Sequence, residues 1–259
     1  MITPRVQRLK DRFLSVRPNI TPERLLLATE AYKLYAGETR YLFRAKTLAY
    51  VLDHLSITIH DEELIVGVPT YTLRGALLFP EYASTEWLLE EIPEFPTRQL
   101  DEIDVTEEDK KVIMDCLEEF WQGRAIEDHL YDILPEDTMA MYENSIIDMG
   151  QTNTISGEVV PNYKELMAQG LKGYIARCEE KIAETESDTM EGQEKQDFWR
   201  AGIIVMEAVI RFANRYADKA LELAEKETDL GRKAELLEIA SNCRNVPESA
   251  RYNSLLNIF

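Results

Sequence analysis

Few residues of this chain have the type and spacing that chemistry requires. The three histidines, His54, His60 and His129, follow Val51, Ile57 and Ile126 by three positions. The Glu-x-x-His spacing that sets two ligands on one helix face in di-iron bundles is therefore missing, and so is His-Glu-x-x-His. The three cysteines, Cys116, Cys178 and Cys243, lie far apart with no Cys-x-x-Cys pair, so neither a disulfide framework nor a structural zinc site is indicated. A cysteine nucleophile needs a base and polarised surroundings. Cys116 and Cys178 instead fall on apolar helix faces, the setting of a buried structural thiol, and Cys243 falls at a helix end. Glu62-Glu63 or Glu90-Glu91 could act as acid/base pairs if desolvated together, but among 48 acidic residues such neighbours arise by chance. The 11 glycines form neither G-x-G-x-x-G nor G-x-x-x-x-G-K, so no phosphate cradle is written in the chain.

The balance of 29 basic against 48 acidic residues, a net charge of −19, comes without any Lys/Arg-rich run. It argues against nucleic acid or an anionic membrane as a partner, and much of the charge reads as solvated surface. No long apolar span and no secretory signal pattern occur, which leads to the expectation of a cytoplasmic protein in a reducing compartment. With 259 residues the chain can bury a sizeable core, and neither an internal repeat nor a low-complexity linker marks a domain boundary, so residues 1–259 are read as one helical region.

Helical periodicity dominates. Thr21-Pro22-Glu23-Arg24 gives a hydroxyl cap, a proline at the first helical position and an acid in the first turn, ahead of an apolar run from Leu25 to Tyr35 that stops at Gly37. Arg40 to Leu55 predicts a second helix, and the two are expected to pack as a pair. Ile57-Thr58-Ile59 and Leu64-Ile65-Val66-Gly67 read as short β-favouring pieces around an acidic turn. Ser84-Thr85 is expected to cap a helix over Trp87 to Ile92, and Thr106 with Asp109 to open one that stops near Gly123. Glu136 to Ile147 can be helical, and Met149 to Gly157 reads as a loop. Further helices are predicted from Tyr163, over Phe198 to Leu223 with Gly192 as punctuation before it, and over Asp229 to Cys243.

Several segments, in order, resemble the glycyl radical enzymes of the pyruvate formate-lyase and dehydratase type. Ile20-Thr21-Pro22-Glu23-Arg24, Thr29-Glu30-Ala31-Tyr32 and Phe43-Arg44-Ala45 resemble the family's opening. Ile57 to Gly67 is similar to its I-x-I-x-D-x-E-L-I-V-G segment. Arg74-Gly75-Ala76 with Phe79-Pro80-Glu81 resembles its P-R-x-x-x-x-x-P-E region, with Leu73 in place of the usual proline. Phe95-Pro96-Thr97-Arg98, Glu107-Glu108-Asp109-Lys110 and Tyr163 to Gly173 follow in register. The resemblance covers about residues 1–243, and 244–259 diverges.

The resemblance implies a mainly α chain with at most a few short strands, the helical N-terminal segment of a ten-stranded β/α barrel enzyme. In the intact family a glycyl radical, installed by a radical S-adenosylmethionine activating enzyme, oxidises a cysteine whose thiyl radical abstracts hydrogen from substrate. Neither Gly-Cys-x-Glu nor R-V-x-G-Y occurs here, so no catalytic residue and no cofactor is assigned to this chain. Leu171-Lys172-Gly173-Tyr174 is only a faint echo of the radical motif. Gly157-Glu158 aligns with a Gly-His stretch that touches substrate in glycerol-type dehydratases. Glu158 is the pocket candidate, suited to a cationic or hydroxyl-bearing substrate or to accepting a proton, with a loop glutamate facing water as the plainer alternative. The expected function is a truncated segment of a lyase or dehydratase, inert alone, partnered by the missing barrel part or by a second copy. The rival expectation is a non-enzymatic helical module that binds a protein.

Overall fold

The computed structural model describes residues 2–82, 85–147 and 160–248. In chain order its elements are α1 (Pro4–Ser15), β1 (Asn19–Ile20), α2 (Glu23–Leu34), α3 (Arg40–His54), β2 (Gly75–Ala76), α4 (Thr85–Glu91), α5 (Glu107–Cys116), α6 (Ile126–Ile133), α7 (Glu136–Glu143), α8 (Tyr163–Glu184), α9 (Met190–Lys226) and α10 (Leu230–Asn245). The protein is thus mainly α. The chain divides into two compact units, one of residues 1–12, 30–71 and 160–259 and the other of 13–29 and 72–159, with boundaries inside α1 and α2.

The first unit is organised by α9, whose 37 residues make a rod of about 55 Å at 1.5 Å per residue. Helices α3, α8 and α10 all lie against it. Its buried positions are mostly small, Ala201, Ala208, Ala217, Ala220 and Ala224, with Tyr216 as the one large buried ring. Small side chains along the inner face let three neighbours approach one rod. The helix begins earlier than its apolar pattern predicts: Thr189 caps it, accepting the Gly192 N–H at 3.0 Å, and Gly192 is a helical residue rather than a break. A Cβ at Gly192 would stand 1.8 Å from the Glu186 carbonyl oxygen, so that turn admits glycine alone. At the other end Asp229 accepts the Arg232 N–H at 2.7 Å and opens α10.

The expected pairing of α2 with α3 is replaced by packing of α3 on α9; the rings Tyr32–Phe43, 4.7 Å apart, and Tyr35–Tyr50, 6.4 Å apart, are where the first two helices meet. The expected cap of α2 also differs. Helix α2 starts at Glu23, so Pro22 stands at the cap position, and the Thr21 hydroxyl is buried with no hydrogen-bond partner. The basic N-terminal stretch, unassigned by periodicity, is the helix α1. Arg5, Arg8 and Arg12, one helix face, meet Glu235, Glu62 and Asp61.

The second unit holds the two strands, which pair in parallel with Asn19 opposite Gly75 and Ile20 opposite Ala76. Asn19 ties the loop together, its amide donating to the Leu73 carbonyl at 2.8 Å and its oxygen accepting from the Thr72 hydroxyl at 2.6 Å. Thr106 caps α5 as its spacing predicts, accepting the Asp109 N–H at 3.0 Å, and the helix runs on through a π turn, Leu117–Trp121. Helix α6 lacks a hydroxyl signature; the Asp128 carboxylate accepts the Ala125 N–H at 3.1 Å instead. Trp121 is fully buried, its indole N–H donating at 2.7 Å to the Thr29 hydroxyl. The Arg24–Glu81 pair is nearly buried, at 12% and 10% side-chain exposure, and the guanidinium also donates to the Leu78 carbonyl and stacks 3.7 Å from the Phe79 ring centre. A pair so deep needs these extra contacts to offset its desolvation.

Helix α8 is broken at Gly170, whose φ of 64° and ψ of −178° no other residue adopts readily. The N–H groups of Leu171 and Lys172 that the break frees donate to the Pro247 and Glu248 carbonyls at 3.1 and 3.3 Å. Gly170→Ala is therefore expected to destabilise the protein by about 1–3 kcal/mol, read as a lower urea midpoint with an unchanged slope.

Candidate functional site

Residues 56–68 carry the strongest family resemblance and form no strand, although two β-favouring pieces are written there. The segment crosses the first unit with no sheet partner; Arg232 of α10 meets a carbonyl within it, and Arg215 of α9 meets carbonyls at the end of α3, from which the segment leaves. Arg215 donates to the Leu52 and Leu55 carbonyls, both at 2.6 Å, and Arg232 donates to the Glu63 carbonyl at 2.8 Å. The Glu63 carboxylate turns back to accept the His60 N–H at 2.9 Å. Glu62, in a left-handed conformation at φ 63°, holds Arg8, whose hydrogen bond keeps the Glu62 carboxyl below the usual carboxylate range. Ile59 is thereby pressed into the core with Tyr216, Ala217, Ala220, Leu236 and Ile239. Charge-assisted donors replace the ladder that the β-branched residues suggest.

Beyond Glu63 the same segment forms one wall of a groove of about 470 Å³. Leu64, Ile65 and Val66 face Ile239, Cys243, Val246 and Pro247, with Glu235, Glu238 and Asn242 as its polar lining. Ile65 is 90% exposed and Leu64 and Val246 are about half exposed. An apolar wall of this kind marks an interaction surface or a ligand groove.

The residues singled out by type do not converge. Gly157 and Glu158 lie outside the described residues. Glu62 and Glu63 serve Arg8 and the local turn, and Glu91 pairs with Arg98. The His54 ring Nδ1–H donates at 2.7 Å to the Tyr50 carbonyl and the ring stacks on that of Tyr50, while Nε2 of His60 is buried without a partner. Among the described residues no group of three or more His, Cys, Asp or Glu side chains could hold a metal ion. Cys116 stands 3.3 Å from the Thr29 hydroxyl, Cys178 is buried, and Cys243 lies in the groove wall. Lys172, Gly173 and Tyr174 are helical residues of α8. Sequence reasoning placed Tyr216 on the apolar side of its helix, where it is buried, and missed Arg215 and Arg232, whose acceptors are distant in sequence.

This chain belongs to the pyruvate formate lyase-like family, whose pattern matches residues 2–253. Isethionate sulfite-lyase of Desulfovibrio desulfuricans is 29% identical over 258 residues, covering 96% of this chain and 31% of that protein. Two solved structures superpose closely: the glycerol-bound B12-independent glycerol dehydratase from Clostridium butyricum, at 32% identity and a TM-score of 0.89, covering 95% of this chain and 31% of that one; and a glycyl radical enzyme from Archaeoglobus fulgidus, at 34% identity and a TM-score of 0.84, covering 92% and 30%. The fold is a helical segment of the glycyl radical enzymes, and the chain spans about a third of the length of the relatives it matches. Among the described residues no helix is long and apolar enough to cross a membrane.

Burial pushes the Cys178 and Cys243 thiols up from their ordinary value of 9.0. At pH 8 both are expected to react with iodoacetamide at least about tenfold more slowly in the native protein than in urea, as intact-mass spectrometry would show. The same shift makes these thiols ionise first in the unfolded chain, so their contribution to stability is present below pH 9.0 and is lost as pH rises above it.

Proposed function

We propose that this chain serves as the helical segment of a glycyl radical lyase or dehydratase, performs no radical chemistry by itself, and uses its apolar groove to seat the remainder of such an enzyme. The observation that carries the reading is the groove itself: Ile65, in the segment most like the family, is 90% exposed beside Leu64, Val246 and Pro247. The chain's three cysteines support it too. A hydrogen-abstracting thiyl needs an accessible sulfur facing substrate, whereas Cys178 is buried, Cys243 is half-buried in the groove wall, and Cys116 packs against Thr29. None fits the glycyl radical's partner, and the radical, with the activating enzyme that installs it, belongs to the intact enzyme in this reading. Substrate specificity belongs there as well. Glu158 remains the residue of this chain proposed to approach a substrate that is cationic or bears hydroxyls.

The alternative, a helical module evolved to bind a protein, predicts a different solution state. A face made to be covered within one enzyme drives self-association when bare, while an evolved module stays monomeric or of defined stoichiometry. In sedimentation velocity the chain alone is expected to associate progressively with concentration, and Ile65→Lys to return it to monomer with its melting temperature within about 2 °C, as for a surface substitution. A monodisperse monomer at every concentration would favour the module.

A further inference from the structure

A second recess of about 270 Å³ opens between the start of α3 and the start of α9, lined by Tyr41, Glu191, Glu194, Lys195, Phe198 and Trp199. On α9 these residues fall at i, i+3, i+4, i+7 and i+8, one stripe of two acids, a lysine and two aromatic rings. The Tyr41 and Phe198 rings lie 5.4 Å apart at 78°, and the Phe198 and Trp199 rings 4.9 Å apart at 70°. Phe198 thus stands nearly perpendicular to both neighbours, and the three rings line the recess rather than stack. Rings so disposed around a small space attract a cation through their negative faces, and the Glu191 and Glu194 carboxylates at the rim repel anions.

The protein's own cations already test the recess. The Arg40 guanidinium sits 4.7 Å from the Tyr41 ring centre and pairs with Glu194, and the Lys195 ammonium holds Glu191 at 2.6 Å. Both are loosely placed, with side chains 72% and 60% exposed, so a guest displaces them at little cost. The volume lies just below the range of sites for drug-sized molecules, which suits a head group rather than a nucleotide. We infer that this recess binds the ammonium group of a small organic cation, a quaternary one best, because such a group is weakly hydrated and has no N–H that the rings would leave unsatisfied.

The test uses the whole chain and tetramethylammonium chloride, titrated at constant ionic strength against sodium chloride and followed by the indole N–H resonance of Trp199. That resonance is assigned by its loss in Trp199→Phe. Uncharged tert-butanol, of similar shape, is the control. The expected result is a saturable shift, half-maximal in the millimolar range, absent with tert-butanol, and weakened about tenfold in the Glu191→Gln/Glu194→Gln double variant. Both glutamates are exposed, so that variant is expected to melt with the parent. A shift that never saturates, an equal response to tert-butanol, or undiminished affinity in the double variant would overturn the assignment.

Discussion

A peptide segment that crosses a protein without a strand beside it must have its carbonyls met by other donors. Here Arg232 meets one of them, at Glu63, four residues after Ile59, and Arg215 holds the end of α3 from which the segment leaves. Around that clamp Ile59 and Val66 pack onto the cluster of Tyr216 and Leu236, while Leu64 and Ile65 turn outward into the wall of the groove. Because each arginine rides on a helix packed to α9 or on α9 itself, the position of the segment is fixed by the rod and not by a sheet.

The exposed wall is the feature on which the proposed seating of further polypeptide rests, since Ile65 there is almost wholly in water. In the second unit the buried polar residues Arg24, Glu81, Thr29 and Trp121 are each engaged by their own neighbours.

How much of this was legible depended on whether a signal was local. The cap at Thr106 and the amphipathic stripe of α3 depend on residues a turn apart, and the sequence shows them directly. The strands expected at Ile57 and Leu64 fail because β propensity reports fit to a half-buried surface, and here the fit is to helices, with arginines distant in sequence as donors. The break at Gly170 and the early start of α9, ahead of Gly192, were hidden because both are set by what the backbone meets, the Pro247 carbonyl in one case and the Glu186 carbonyl in the other. The candidate site was legible as a resemblance in the segment from Ile57 to Gly67, while its physical form, a clamped coil beside an apolar groove, needed the long-range contacts. Gly157 and Glu158 lie outside the described residues and the fold bears on them no further.

The clamp is tested most directly by hydrogen–deuterium exchange on Arg232→Met, which keeps the apolar stem and removes the donors. Loss of charge-assisted hydrogen bonds is expected to speed exchange of residues 59–66 by at least about tenfold, while the amides of α9 keep their protection. Unchanged exchange in that segment, or loss spread evenly over the whole unit, would contradict the account.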